Sequence, residues 1–210
     1  IKKDNFSWAI DLNWGLNRNK VIELASGIDN YLLNSYQGGV SLNARVGEAW
    51  GTLVGSDYVY LNGQKIVDAT TGYYQTNSNQ IIGNTTPDWI AGLRNSLRYK
   101  DFSFNFLIDV RHGGDVFSTD MYYALATGLY KETAVGDMRE NGVVWEGVNP
   151  NGANNTTVTA NPQEFGNLDG YVRMPAKRFV YDGSYVKLRE ASVGYSFPER
   201  ILKNGFIKEA

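Results

Sequence analysis

The sequence predicts an all-β protein, a section of an antiparallel transmembrane β-barrel, and three observations carry that expectation. The nine residues from Phe102 to Val110 alternate, with Phe102, Phe104, Phe106, Ile108 and Val110 in one phase and Ser103, Asn105, Leu107 and Asp109 in the other. Successive strand side chains point to opposite faces, so this segment has one greasy face and one mostly polar face. Its length is close to the ~9–11 residues a tilted strand needs to cross a bilayer. Long and short connections also alternate along the chain, which places long loops on one side and tight turns on the other, as in outer-membrane barrels. No run of about 18 apolar residues offers a transmembrane helix, whereas a barrel strand carries only a dyad signal. A half-buried strand of a soluble sandwich alternates in the same way, so Phe102–Val110 alone leaves both architectures open. The sorting of the loops favours the barrel.

Four segments carry the strand pattern. The first, near residues 6–20, opens with Phe6, Trp8, Ile10, Leu12 and Trp14 alternating with Ser7, Ala9, Asp11 and Asn13. The second, near 88–99, alternates less cleanly but keeps Leu93, Leu97 and Tyr99 in phase. It meets the third, near 102–112, across Lys100-Asp101, a spacing that suits a tight hairpin. The fourth lies near 178–197. Its apolar phase slips between Val186/Leu188 and Ala191/Val193/Tyr195/Phe197, which predicts a bulge near Glu190, and Pro198 then ends pairing. Residues 21–87 and 113–177 are the two long loops, both rich in Gly, Asn and Tyr. The second loop has one short helical signal, Thr119–Leu129, with Met121, Tyr122, Leu125 and Leu129 on one face.

Composition narrows the chemistry. A net charge of −2 gives no basic excess, so no nucleic-acid partner is expected. Cysteine is absent and His112 is the single histidine, which removes disulfides, thiolate metal sites and multi-histidine centres. Glu132, Asp137 and Glu140 lack a paired acid, and nothing marks a nucleophile. The expectation is no catalytic residue, no metal and no cofactor, in a protein that is not an enzyme. Arg111-His112-Gly113-Gly114 reads as the exit from the third strand into a loop. Asp57–Asp68 faintly resembles a calcium loop, but Asn62-Gly63 within it is more simply a turn. The start, Ile1-Lys2-Lys3-Asp4, reads as the interior of a longer chain.

Aromatic residues are abundant, with 14 Tyr, 9 Phe and 5 Trp. At strand ends, Trp8, Trp14, Trp89, Tyr99, Tyr195 and Phe197 suit girdles at membrane–water boundaries. Asp11, Asn13, Asn105 and Asp109 would then face a wet lumen. In the loops, Trp50, Tyr58, Tyr60, Tyr73, Tyr74 and Trp145, together with Tyr122 and Tyr123, are rigid faces able to stack on sugar rings or grip a peptide. Packing of the loops on themselves is the alternative for each.

Several phrases occur in order along the chain: Gly47-Glu48-Ala49-Trp50-Gly51, Ile82-Gly83-Asn84-Thr85-Thr86-Pro87-Asp88-Trp89, Tyr99-Lys100-Asp101-Phe102, Asp109-Val110-Arg111-His112-Gly113-Gly114 and Tyr185-Val186-Lys187-Leu188-Arg189-Glu190. The set resembles the C-terminal part of the SusC/RagA group of TonB-linked outer-membrane proteins of Bacteroidetes, over essentially the whole chain. One departure is Trp50, where the family commonly has Tyr or another residue. The resemblance implies about four strands of a 22-stranded TonB-dependent barrel in a Gram-negative outer membrane, with two extracellular loops. It further implies import of oligosaccharides or peptides, energised by TonB, under a SusD-like surface lipoprotein that forms a lid. The loop aromatics then become candidate contacts to substrate or lid. The sequence holds no plug domain and no TonB box, and four strands alone would leave two sheet edges unpaired, which lipid does not tolerate. The rival architecture is a secreted or surface-attached β-sandwich that binds carbohydrate through the same aromatics.

Overall fold

The computed structural model describes residues 1–159 and 168–198. Along the chain, β1 (Lys2–Lys3) and β2 (Phe6–Gly15) are followed by β3 (Asn30–Tyr36), β4 (Val40–Arg45) and β5 (Thr52–Tyr58). A small hairpin, β6 (Tyr60–Leu61) and β7 (Gln64–Lys65), turns at Asn62-Gly63, whose φ angles of 51° and 81° are the left-handed values that sequence pair supplies. Next come β8 (Thr76–Asn84), β9 (Trp89–Tyr99), β10 (Phe102–His112) and β11 (Asp115–Phe117). Helices α1 (Thr119–Thr127) and α2 (Met138–Asn141) precede β12 (Val180–Asp182) and β13 (Tyr185–Tyr195). No helix among the described residues is long and apolar enough to cross a membrane. The architecture is all-β and antiparallel with short helices, and it divides into two units.

The first unit comprises Ile1–Asn17, Pro87–Gly113 and the described residues from Gly183. It is a single open sheet in the order β1-β2-β9-β10-β13. Cross-strand partners share a face, and the register assembles five rows of four: Phe6/Tyr99/Phe102/Tyr195, Trp8/Leu97/Phe104/Val193, Ile10/Asn95/Phe106/Ala191, Leu12/Leu93/Ile108/Leu188 and Trp14/Ala91/Val110/Val186. None of these positions is charged. The one amide, Asn95, accepts a 2.7 Å hydrogen bond from the Trp8 indole Nε1. The opposite face carries Asp11, Asn13, Arg94, Ser96, Asn105, Asp109, Lys187 and Glu190, interrupted by Ile90 and Leu107. Leu107 stands opposite Glu190 while Ile108 stands opposite Leu188, so Arg189 is the extra residue of a bulge. The bulge absorbs that insertion, so both halves of β13 keep the apolar phase.

The second unit comprises the described residues of Arg18–Thr86 and Gly114–Asp182. Its main sheet runs β3-β4-β5-β8, with β11 and β12 paired separately. A segment Met174–Phe179 lies across β5 and β8, where the Ala176 amide donates to Ser56 Oγ of β5 at 2.8 Å and Lys177 Nζ donates to the Ile82 carbonyl of β8 at 2.6 Å. Gly55 permits this approach: a Cβ there would stand 2.8 Å from Ile82 Cδ1 and 3.1 Å from the Ala176 methyl. Val40, Leu53, Ile82 and Ala176 form one core, and Tyr58, Leu125, Met174 and Phe179 form another, with Phe117 packed against both. Ser118 caps α1 by accepting from the Met121 amide, and Gly128 ends it in left-handed conformation, two residues short of the expected Leu129.

Three boundaries differ from the sequence reading. The first strand ends at Gly15 rather than near 20, and the fourth is split at Gly183-Ser184, leaving Val180–Asp182 to pair with β11 instead. The stretches 21–87 and 113–177, read as loops, carry a four-stranded sheet, hairpins and α1. Their strands are short and bulged, as at Leu32/Asn34 and Leu53/Val54, so neither dyad nor helical period survives long enough to read.

Every fully buried hydrophobic side chain among the described residues lies in the second unit. Phe179 is wholly buried there, so Phe179→Ala should cost about 3–5 kcal/mol. Limited proteolysis of the intact protein should then cut within 18–86 and 114–182 sooner, while 89–112 keeps its protection.

Candidate functional site

Six of the sequence-predicted aromatics fall into three places in the second unit. Tyr58, Tyr60, Tyr74 and Trp145 form one cluster because β5, the β6–β7 hairpin and the strand-like segment at Tyr74 converge on it. Tyr58 meets Tyr74 edge-on at 4.9 Å and Tyr60 at 6.4 Å, and Tyr74 meets Trp145 at 5.8 Å between ring centroids. Lys65 places its ammonium 3.9 Å from the Tyr58 centroid and 5.1 Å from that of Tyr74, a cation held between two π faces. Tyr73 stands apart under the Arg173 guanidinium, 4.5 Å from its ring. Trp50 is at the turn before β5, where its carbonyl accepts from Asn84 Nδ2 and Thr86 Oγ1.

Accessibility separates these residues. Trp50 and Tyr60 are about half exposed, at 53% and 49%, whereas Tyr58 is 7% exposed and its hydroxyl turns inward to Met174 Sδ at 3.8 Å. Tyr58 therefore works as core. Tyr74 is partly buried and fixes itself by donating to the Glu146 carbonyl at 2.9 Å. The Trp145 indole nitrogen is buried without a hydrogen-bond partner among the described residues. Tyr122, stacked on Tyr171 at 4.7 Å and edge-on to Phe179 at 5.1 Å, is also packing.

The electrostatics follow from burial. Desolvation raises the Tyr58 phenol well above its ordinary value and the Tyr74 phenol to about 12. Desolvation lowers the Lys65 ammonium, and neighbouring Arg178 lowers it further. Arg178 itself is held charged by a bidentate pair with the nearly buried Asp169, at 2.8 and 2.6 Å. Asp68 accepts from the Thr71 and Thr70 amides, which lowers its carboxyl and closes a turn. Among the described residues, no three of His, Asp and Glu converge as a metal-ligand set.

A groove that sequence reasoning only touched, through Tyr123, lies along α1. Tyr36, Gln37, Asp120, Tyr123 and Leu129 line about 540 Å³ of it, and Tyr123 donates to Gln37 Oε1 at 3.0 Å. The Gly38-Gly39 turn after Tyr36-Gln37 was the available signal, since paired glycines mark a sharp reversal that displays the residues before it.

In the first unit, the charged face holds a chain of contacts. Arg189 donates to Asp109 at 2.6 Å, Tyr185 donates to the same carboxylate at 3.1 Å, and Arg94 lies 3.7 Å from Glu190. On the apolar face, Trp89 and His112 stack in parallel at 5.2 Å, with His112 Nδ1 3.5 Å from Asp88.

The chain is 29% identical to TonB-dependent receptor P3 of Formosa agariphila over 96% of its length, covering 21% of that receptor. It is 24% identical to receptor P26 over 94% and 30% identical to receptor P39 over 85%, both of the same organism, covering 21% and 16% of them. The chain thus spans about a fifth of the length of these curated relatives. Among solved structures it is similar to the RagAB peptide importer in its "open-open" state, with a TM-score of 0.58 at 15% identity, covering 99% of this chain and 22% of that one. At that identity the likeness is one of fold. No family model matches the chain.

The raised phenols set an alkaline limit on the aromatic cluster. A tyrosine whose folded pKa lies above its unfolded value of 10 stabilises the fold fully below pH 10 and loses that contribution as pH rises through the folded value. Absorbance titration at 295 nm should show Tyr58 and Tyr74 ionising last, near or above pH 12, together with loss of near-UV circular dichroism.

Proposed function

We propose that this chain, of the SusC/RagA-like TonB-dependent receptor family, supplies part of the transmembrane wall and extracellular loops of an outer-membrane importer. The first unit is the wall and the second unit is the folded extracellular part. The whole receptor, a 22-stranded barrel energised by TonB, takes up oligosaccharides or peptides with a SusD-like lipoprotein as lid.

One observation carries the reading. The wall is a single sheet with no buried core among its described residues, yet its apolar face displays Leu12, Val186 and Val193 at 73–77% exposure. Facing water, so continuous a patch is an aggregation surface. Facing acyl chains, it is at its lowest free energy, and the charged face turns to a wet lumen. Ten residue steps from Phe102 to His112 rise about 33 Å along the strand, which at the ~35–45° tilt of such barrels projects to about 25 Å, the height of their apolar band. Aromatic rows bound that band at both ends: Phe6, Tyr99, Phe102 and Tyr195 at the turn side, Trp14 and Trp89 at the loop side. The sandwich alternative requires a second layer buried against this face, and the exposure of those rows speaks against it.

The wall is tested by charge placement. Phe106 sits in the middle row, so Phe106→Arg should cost about 2–4 kcal/mol of barrel stability, whereas Asn105→Arg on the opposite face should cost under about 1. Heat-modifiable electrophoretic mobility of the intact receptor in detergent reads the difference. Equal effects of the two substitutions, or a monodisperse receptor without detergent, overturn the membrane reading.

The proposed contacts to substrate or lid are Trp50 and Tyr60 by direct exposure, with the partly exposed Tyr73 at a separate place under Arg173. Tyr58, Tyr74 and Trp145 support Tyr60 as the packed cluster behind it. Trp50→Ala with Tyr60→Ala should weaken binding of the partner lipoprotein or of substrate about tenfold without changing thermal stability, as expected for two exposed aromatic anchors at about 1 kcal/mol or less each. Tyr58→Ala should instead lower stability.

A further inference from the structure

We infer that the turn-side border of the wall's apolar face binds the headgroup of an anionic glycerophospholipid, with Lys3 and Lys100 holding its phosphodiester above an aromatic shelf. The inference rests on the membrane reading above. Phe6, Tyr99, Phe102 and Tyr195 form one cross-strand row, the last of the apolar face before the turns. Tyr99 and Phe102 are more than half exposed, and Phe102 and Tyr195 lie 4.6 Å apart, so the row is a shelf open to the surroundings. Beyond it the chain makes two tight turns, Asp4-Asn5 and Lys100-Asp101. The Lys100 amide donates to the Asn5 carbonyl at 2.7 Å and ties the two together.

Lys3 pairs with Phe6 and therefore takes the apolar phase. Lys100 leaves the strand with φ 52°, and its ammonium rests 5.5 Å from the Tyr99 ring centroid. Two long stems can thus lie on aromatic rings while their charged ends reach past the apolar band, at the level where phosphates sit. Four other charged side chains stand at these turns. Asp4 and Asp101 are the carboxylates; Lys2 and Arg98 both stand opposite Ser7 on the polar face, and Arg98 Nε donates to the Lys100 carbonyl at 3.3 Å. The loop-side border of the same apolar face carries Trp14, Trp89, His112 and Asp88, with no lysine or arginine in apolar phase among the described residues. The two ends therefore suit different headgroups, and the turn side suits an anionic one.

The test uses the full-length receptor in nanodiscs of equal dioleoyl-phosphatidylglycerol and dioleoyl-phosphatidylcholine. Lipids retained after partial stripping are counted by native mass spectrometry. The unsubstituted receptor should enrich phosphatidylglycerol about fivefold or more, the scale of one or two lysines near a headgroup. Lys3→Gln with Lys100→Gln should bring the ratio towards one, and Lys3→Arg with Lys100→Arg should keep it. An unchanged ratio in the glutamine variant overturns the site. Where that variant fails to fold, Asp4→Asn with Asp101→Asn should raise the ratio, and no rise overturns the site equally. A receptor that inserts yet shows no preference sinks the headgroup site alone. One that stays monodisperse without detergent sinks the membrane reading beneath it.

Discussion

Antiparallel register is the constraint on which the wall depends. With side chains alternating at period two, one residue of slip would carry an entire strand's charged set to the apolar face. The two-residue turn at Lys100-Asp101 pins β9 to β10, with Tyr99 opposite Phe102 and Trp89 opposite His112 at the far end. From that hairpin the rows extend outward to β2 and β13. The same ladder satisfies backbone donors and acceptors, which a bilayer core cannot do. Asn95 shows how closely the rule is kept: the single amide among the five rows has the Trp8 indole as its partner.

The second unit obeys the opposite logic. Its strands are short and irregular, and its stability lies in sequestered side chains such as Ile82, Leu125 and Phe179. Aromatics serve both units but in different capacities. In the wall they mark borders; in the second unit most of them are wedged together, and Lys65 shares the faces of Tyr58 and Tyr74. This is why only a minority of the loop aromatics present a face that a ligand can reach.

Much of the wall was legible because long strands with one apolar face write their geometry into the sequence. Phe102–Val110 showed its two faces directly, and the phase slip beyond Leu188 located the bulge near Glu190. The limits of β2 and β13 were less visible, since Leu16 and Tyr181 prolong an apolar impression past the pairing. The second unit's sheet escaped notice because its pairing depends on contacts distant in sequence, such as Thr52 opposite Asn84. Among the loop aromatics, residue type pointed to Tyr58 and Trp50 alike. Only tertiary packing separates them, and composition carries no trace of it.

The bulge at Arg189 has a consequence for how such a wall can change over generations. Single insertions or deletions within β2, β9 or β10 invert everything beyond them, so length there is frozen unless a second irregularity restores parity. β13 already holds one such irregularity: without Arg189, Glu190 and Leu188 would follow one another opposite Leu107 and Ile108 in an unbroken ladder, and Val186 and Leu188 would keep the apolar face. The strand's odd residue is thus a dispensable one, and lineages of this wall can gain or lose a single residue in β13 at the bulge, while β2, β9 and β10 should vary by pairs or not at all and the stretches between the strands drift freely.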